Sequence, residues 1–116
     1  MSKEARELLE FIRQRLTPVF QKYNVERALI FGSLARGEPS RRSDVDLIII
    51  QQTHKRFLDR YEGILWDITE ALPGWEVDLL IYTPEELERI ADTPFFRRVL
   101  AESKVIYERE QESLPG

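Results

Sequence analysis

Two short apolar runs, separated by a loop of turn-forming and charged residues, constrain this chain more than any other feature. Ala28-Leu29-Ile30-Phe31 stops at Gly32, and Val45 to Ile50 begins directly behind Asp44. Runs this short, rich in β-branched residues and bounded by turn signals, read as buried strands. Between them lies Gly32-Ser33-Leu34-Ala35-Arg36-Gly37-Glu38-Pro39-Ser40-Arg41-Arg42-Ser43, and an aspartate pair two residues apart, Asp44 and Asp46, opens the second run. The chain is thereby committed to a sheet that contains a strand–loop–strand unit.

The remaining elements follow from periodicity and punctuation. Ala5, Leu8, Leu9, Ile12 and Leu16 recur at helical spacing, so residues 4–16 predict an amphipathic helix. Thr17-Pro18 predicts a break there, with a short second helix running to Tyr23. Phe57, Leu58, Tyr61, Ile64, Leu65, Ile68 and Leu72 predict one helix over 57–72, ended by Pro73-Gly74. Trp75 to Tyr82 predicts a third strand, and Lys104 to Tyr107 a short last one. Thr83-Pro84 and Thr93-Pro94 each place an N-cap before a proline at the first helical position, starting two more helices. The fold class is α/β in the α+β sense: a small mixed sheet covered by helices, mainly on one face. One domain over 1–110 and a flexible tail over 111–116 are expected.

Composition removes several function classes. The length of 116 residues fits one small domain. A net charge of −4 argues against a dedicated nucleic-acid binder, which needs clustered Lys and Arg. There are no cysteines, which excludes disulfides, thiolate zinc sites and a cysteine nucleophile. No apolar run approaches the ~18 residues that span a bilayer, and the amino terminus is too charged for a signal peptide, so the cytoplasm is the expected location. His54 lacks a partner at ligand spacing and reads as a surface residue, while Tyr61, Trp66 and Trp75 read as packing.

The loop and its flanks carry the chemistry. Gly32 after a buried strand permits a tight turn and close approach of a ligand. Ser33 can cap the segment Leu34-Ala35-Arg36, which Gly37 would end, and free N–H groups with a hydroxyl at such a start suit an anion. Alone, this also fits a plain strand-to-helix turn. Alternation along a strand puts Asp44 and Asp46 on one face, with Cα atoms roughly 6.5–7 Å apart. Adjacent carboxylates repel and lose hydration, so they call for a cation, and hard oxygen ligands suit Mg²⁺ or Mn²⁺. Alone, this also fits a solvated strand start. Asp78 interrupts Val77, Leu79 and Ile81 in the third strand; beside the second strand it would join Asp44 and Asp46 at one point. Three carboxylates of this kind can hold two metals roughly 3.5–4 Å apart, the spacing of in-line phosphoryl displacement. An edge strand with Asp78 in solvent is the bland alternative.

Gly32-Ser33 followed by Asp44-x-Asp46 and a later strand aspartate resembles the nucleotidyltransferase superfamily typified by DNA polymerase β. The finer pattern, Gly-Ser-x-Ala-Arg-Gly and then Ser-Asp-x-Asp-Leu, is similar to the minimal nucleotidyltransferases of prokaryotes. The resemblance implies a metal-dependent nucleotidyltransferase with two Mg²⁺ ions and ATP as substrate. Asp44 and Asp46 would hold both metals, and Asp78 would complete the site on the acceptor side and aid deprotonation. Gly32 and Ser33 would hold the β- and γ-phosphates, with Arg36 and Ser43 as further nucleotide-binding candidates; Arg41 and Arg42 more readily form a solvated rim.

The resemblance also implies a partner. Minimal members pair with a helical HEPN protein as toxin and antitoxin, and the nucleotidyltransferase moves AMP onto a tyrosine of the toxin. The HEPN nuclease motif does not occur in this chain, which would be the transferase half. Two alternatives stay open: an antitoxin acting by binding alone, and an enzyme acting on a small molecule or an RNA end. Homo- or hetero-oligomers are both compatible with the apolar Phe95-Phe96 and Val99-Leu100, and neither a membrane nor a nucleic-acid partner is expected.

Overall fold

The computed structural model describes residues 2–38 and 44–110. The chain runs α1 (Lys3–Lys22), β1 (Arg27–Phe31), β2 (Asp44–Ile50), a 3-10 helix (Phe57–Tyr61), α2 (Ile64–Ala71), β3 (Glu76–Tyr82), α3 (Pro84–Ile90), α4 (Pro94–Glu102) and β4 (Lys104–Glu108). The four strands form one mixed sheet in the order β3-β2-β1-β4. β1 pairs antiparallel with β2 and β4, and β2 pairs parallel with β3. The parallel pair requires a crossover, supplied by the 3-10 helix and α2.

Strand alternation divides β2 between two cores. Val45, Leu47 and Ile49 face α1 and α2, where they meet Ile12, Leu16, Phe20, Ile64 and Ile68. Ile48 and Ile50 turn the other way, with Leu29, onto Val99, Phe96 and Leu100 of α4 and Leu87 of α3. Helices therefore cover both faces, where cover mainly on one face was expected. The second cover is partial: it reaches Ile48 and Ile50 but leaves the Asp44–Asp46 end of the same face less enclosed.

Two helix boundaries differ from the sequence reading. Pro18 lies inside α1, which is continuous to Lys22. Thr17 does not cap a new helix; its hydroxyl donates to the Arg13 carbonyl at 2.6 Å. An interior proline costs about 3 kcal/mol. Continuing the helix buries Phe20 fully alongside Leu16 and Ile12, a comparable gain. The expected 57–72 helix is divided at Gly63, whose φ is +80° and where a Cβ would lie 2.8 Å from the Tyr23 hydroxyl. The division spoils the expected single face. Ile64, Ile68 and Leu72 are buried, whereas Leu58 is 79% exposed and Trp66, read as packing, is 66% exposed. Tyr61 and Trp75 do pack against the larger core, and His54 is exposed.

Elsewhere the punctuation held. Thr83 caps α3 in a reciprocal box with Glu86, and Pro84 follows at the first position. Thr93 precedes Pro94 as expected, but its hydroxyl donates back to the Ile90 carbonyl rather than into α4. Of the last-helix pairs, Val99 is core, Phe96 and Leu100 pack against it, and Phe95 is exposed. The 111–116 tail lies outside the described residues.

Candidate active site

The site forms where β1 ends and β2 and β3 begin. Register sets Phe31 opposite Asp46 on one side and Asp78 opposite Asp46 on the other, so one row crosses three strands. Opposed residues share a face, which brings Asp46 and Asp78 together as the sequence predicted. The row below pairs Asp44 with Glu76. Glu76 is an acidic neighbour that the sequence reading passed over. Its signal was available, because Glu76-x-Asp78 repeats on β3 the two-residue spacing of Asp44-x-Asp46.

Gly32 is tied to this row by geometry. Its φ is +76°, and a Cβ there would lie 2.3 Å from Oδ2 of Asp46. Only glycine lets the backbone leave β1 so close to that carboxylate. The following turn is closed by Arg36 N–H to the Gly32 carbonyl, Gly37 N–H to Leu34, and Glu38 N–H to Ser33, at 3.2, 3.1 and 2.9 Å. The last two bonds, with Gly37 at φ +76°, make a Schellman-type stop. Gly37 thus ends the segment as predicted. Leu34 and Ala35 are buried and anchor it, while Ser33 remains half-exposed. Among the described residues, the backbone bonds that close the turn do not use the N–H groups of Ser33, Leu34 and Ala35.

Electrostatics mark Asp46 as the strained member. Burial, the contact of its carboxyl with that of Asp78, and the negative charges of Asp78 and Asp44 push it from 3.8 up to about 6; the Arg36 charge opposes this. Carboxyl groups of like charge set side by side leave Asp46 short of positive charge. Asp44 is half-buried, and its Oδ1 is inaccessible to solvent and has no hydrogen-bond partner. A buried acceptor left so is costly.

The three aspartates do not close into one cage. Asp78 lies on edge strand β3 and is exposed, and among the described residues no three carboxylate or imidazole groups are gathered as a ready-made metal centre. The donor set nevertheless fits a divalent cation. An orphaned carboxylate oxygen and two opposed carboxylates are groups that a hard cation would satisfy together.

Arg36 is exposed and bound to two glutamates, Glu38 at 3.5 Å and Glu102 of α4 at 3.3 Å. Ser43, Arg41 and Arg42 lie outside the described residues. A separate hollow of about 450 Å³, floored by Ile50, Leu87 and Leu100, opens at the other end of the strands. None of the predicted site residues lines it.

This strand–glycine turn–acidic strand arrangement defines a nucleotide-transfer type of core, and comparison with known proteins agrees. Residues 14–112 match the family described as Polymerase beta, Nucleotidyltransferase. The chain belongs to that family and is a nucleotidyltransferase. A Methanocaldococcus jannaschii protein provisionally named protein adenylyltransferase MJ0435 is 38% identical over 71 residues, 61% of this chain and 74% of its own length. Among solved structures, a toxin–antitoxin with AMP-PNP superposes with a TM-score of 0.62 at 20% identity, covering 86% of this chain and 76% of that one. A tri-AMPylated Shewanella oneidensis HEPN toxin in complex with MNT antitoxin gives a TM-score of 0.58 at 16% identity, covering 87% and 73%. At those identities the superpositions establish a shared fold. No helix among the described residues is long and apolar enough to cross a membrane.

Proposed function

We propose that this protein is an Mg²⁺-dependent adenylyltransferase that moves AMP from ATP onto a tyrosine hydroxyl of a partner HEPN toxin, and so acts as its antitoxin. The observation that carries the metal-dependent transfer is the register-paired Asp46 and Asp78, set against Gly32 and beside the orphaned Oδ1 of Asp44. The acceptor rests on similarity: the name of the M. jannaschii relative, and a fold shared with an antitoxin bound to an AMPylated HEPN toxin.

Asp44 and Asp46 would hold the metal, with Asp78 completing the set on the acceptor side. When bound, Mg²⁺ supplies positive charge to the triphosphate and to the attacking oxygen. The chain's own groups do the rest. Backbone N–H groups after Gly32, with the Ser33 hydroxyl, cradle the β- and γ-phosphates. The tight Gly32 turn presses that cradle against Asp46, which fixes the triphosphate relative to the carboxylates. Asp78, exposed on the open edge of the sheet, meets a hydroxyl arriving from outside and takes its proton. The acceptor oxygen bonds to the α-phosphorus, the bond from that phosphorus to the bridging oxygen breaks, and pyrophosphate leaves.

Incubation of the protein with the product of the adjacent gene, labelled ATP and Mg²⁺ tests the proposal. Label on a tyrosine of that product, lost in the Asp44→Asn/Asp46→Asn variant, is the expected result. A tight complex with no label refutes transfer and leaves inhibition by binding. Mg²⁺ with ATP should also raise the melting temperature, since ligand binding favours the folded state.

A further inference from the structure

Arg36 has two claims on it. Its backbone is anchored between the buried Leu34 and Ala35 and the Gly37 stop, while its side chain is exposed. That side chain reaches away from the phosphate turn to the last turn of α4, where its Nη1 donates to both oxygens of Glu102 at 3.3 and 3.4 Å. Its Nε faces Glu38 at 3.5 Å. These distances exceed the ~2.7–2.9 Å of a firm charge-assisted bond, and 45% of the arginine side chain remains in contact with solvent. A pair so loose and so wet is easily exchanged.

Glu102 has its own use for the contact. A helix C-terminus carries partial negative charge, so a glutamate there is unfavourable unless a cation faces it. α4 has no basic residue in its last turn, and Arg36 supplies that cation from the loop. The same residue is tied to the carboxylate site by its backbone, whose N–H donates at 3.2 Å to the carbonyl of Gly32, the residue that lies against Asp46. One arginine therefore lies within influence of both the carboxylate site and the end of α4.

We propose that Glu102 is a positioning residue acting through Arg36: it holds the guanidinium on α4 and yields it to an incoming triphosphate. The proposal rests on the reading of this turn as the triphosphate site. Binding exchanges the Glu102 carboxylate for a phosphate oxygen on Arg36, with rotation of one side chain and no change in the turn. Glu102 thereby competes with the nucleotide and sets the concentration at which the site fills.

Calorimetric titration of AMP-PNP with Mg²⁺ into wild type, Glu102→Gln, Arg36→Gln and the double variant tests this, with circular dichroism to confirm folding of each. Glu102→Gln is expected to bind about two- to five-fold more tightly, the range of a part-exposed ion pair. Arg36→Gln is expected to bind roughly ten-fold more weakly. In the double variant the Glu102 effect should vanish, a coupling that a merely structural role would not produce. Unchanged or weaker binding by Glu102→Gln, or a gain that survives without Arg36, overturns the latch alone. Absence of binding by wild type and all three variants overturns both the latch and the nucleotide site.

Discussion

Asp46 and Glu86 are carboxylates held against strands of one sheet, yet the fold treats them oppositely. Glu86 accepts both arms of the Arg60 guanidinium, at 2.5 and 3.1 Å, and a backbone N–H from Thr83 at 2.9 Å. Those donors hold its carboxyl down at about 2. Arg60 is itself buried and also donates to the carbonyls of Lys55 and Ile81, tying the 3-10 helix to β3 and α3. Asp46 faces two other aspartates, and its carboxyl is pushed up to about 6. A satisfied cluster of opposite charge holds the fold together. An unsatisfied cluster of like charge lacks the cation that the proposed function would bring to it.

The sharpest way to break the comparison is by activity. Asp46→Asn should lower nucleotide transfer by at least about 10³-fold, as expected when charge complementary to the transition state is lost. Glu86→Gln should leave the rate per folded molecule near wild type. Radiolabel transfer, normalised to folded protein, reads both.

Stability should reverse the ranking. Arg60→Ala removes the partner of Glu86 and strands two carbonyls, and should cost ~3 kcal/mol in urea unfolding. Asp46→Asn should instead raise stability by ~1–2 kcal/mol at pH 7.5, because a repelling charge disappears. The sign follows from a folded pKa of about 6 above the unfolded 3.8. That contribution to wild-type stability is full below pH 3.8 and is lost as pH rises through 6. The advantage of the asparagine should therefore be gone at pH 4.

The smallest expected effect is on the acid limb. Glu86 is depressed from 4.5 to about 2, so its contribution is present above pH 4.5 and lost as pH falls towards 2. Part of its side chain meets water, which limits the effect to about 1 kcal/mol. Glu86→Gln should flatten the loss of stability between those limits in acid titrations followed by circular dichroism.

Local signals carried much of this molecule. β1 ends where Gly32 said it would, β2 keeps Asp44 and Asp46 on one face, and Thr83-Pro84 starts α3. These depend on neighbouring residues, which sequence displays directly. Pro18 and Gly63 differ in kind. The local preference of Pro18 for a break was overruled by the distant core around Phe20, whereas Gly63 followed its own freedom to take a positive φ, which the apolar spacing of 57–72 had masked. The Arg60–Glu86 and Arg36–Glu102 pairs lie 26 and 66 residues apart and had no local signature.

The sequence by itself determined the strand–turn–strand core, the need for glycine at position 32 and the shared face of Asp44 and Asp46, since each follows from backbone sterics or a period of two. Tertiary structure alone decided the rest of the site. Parallel pairing of β2 with β3 set Asp46 against Asp78 and Asp44 against Glu76, the edge position exposed Asp78, and the path of α4 brought Glu102 to Arg36. Register and crossover are set by burial summed over the whole sheet, and no window of sequence contains that sum.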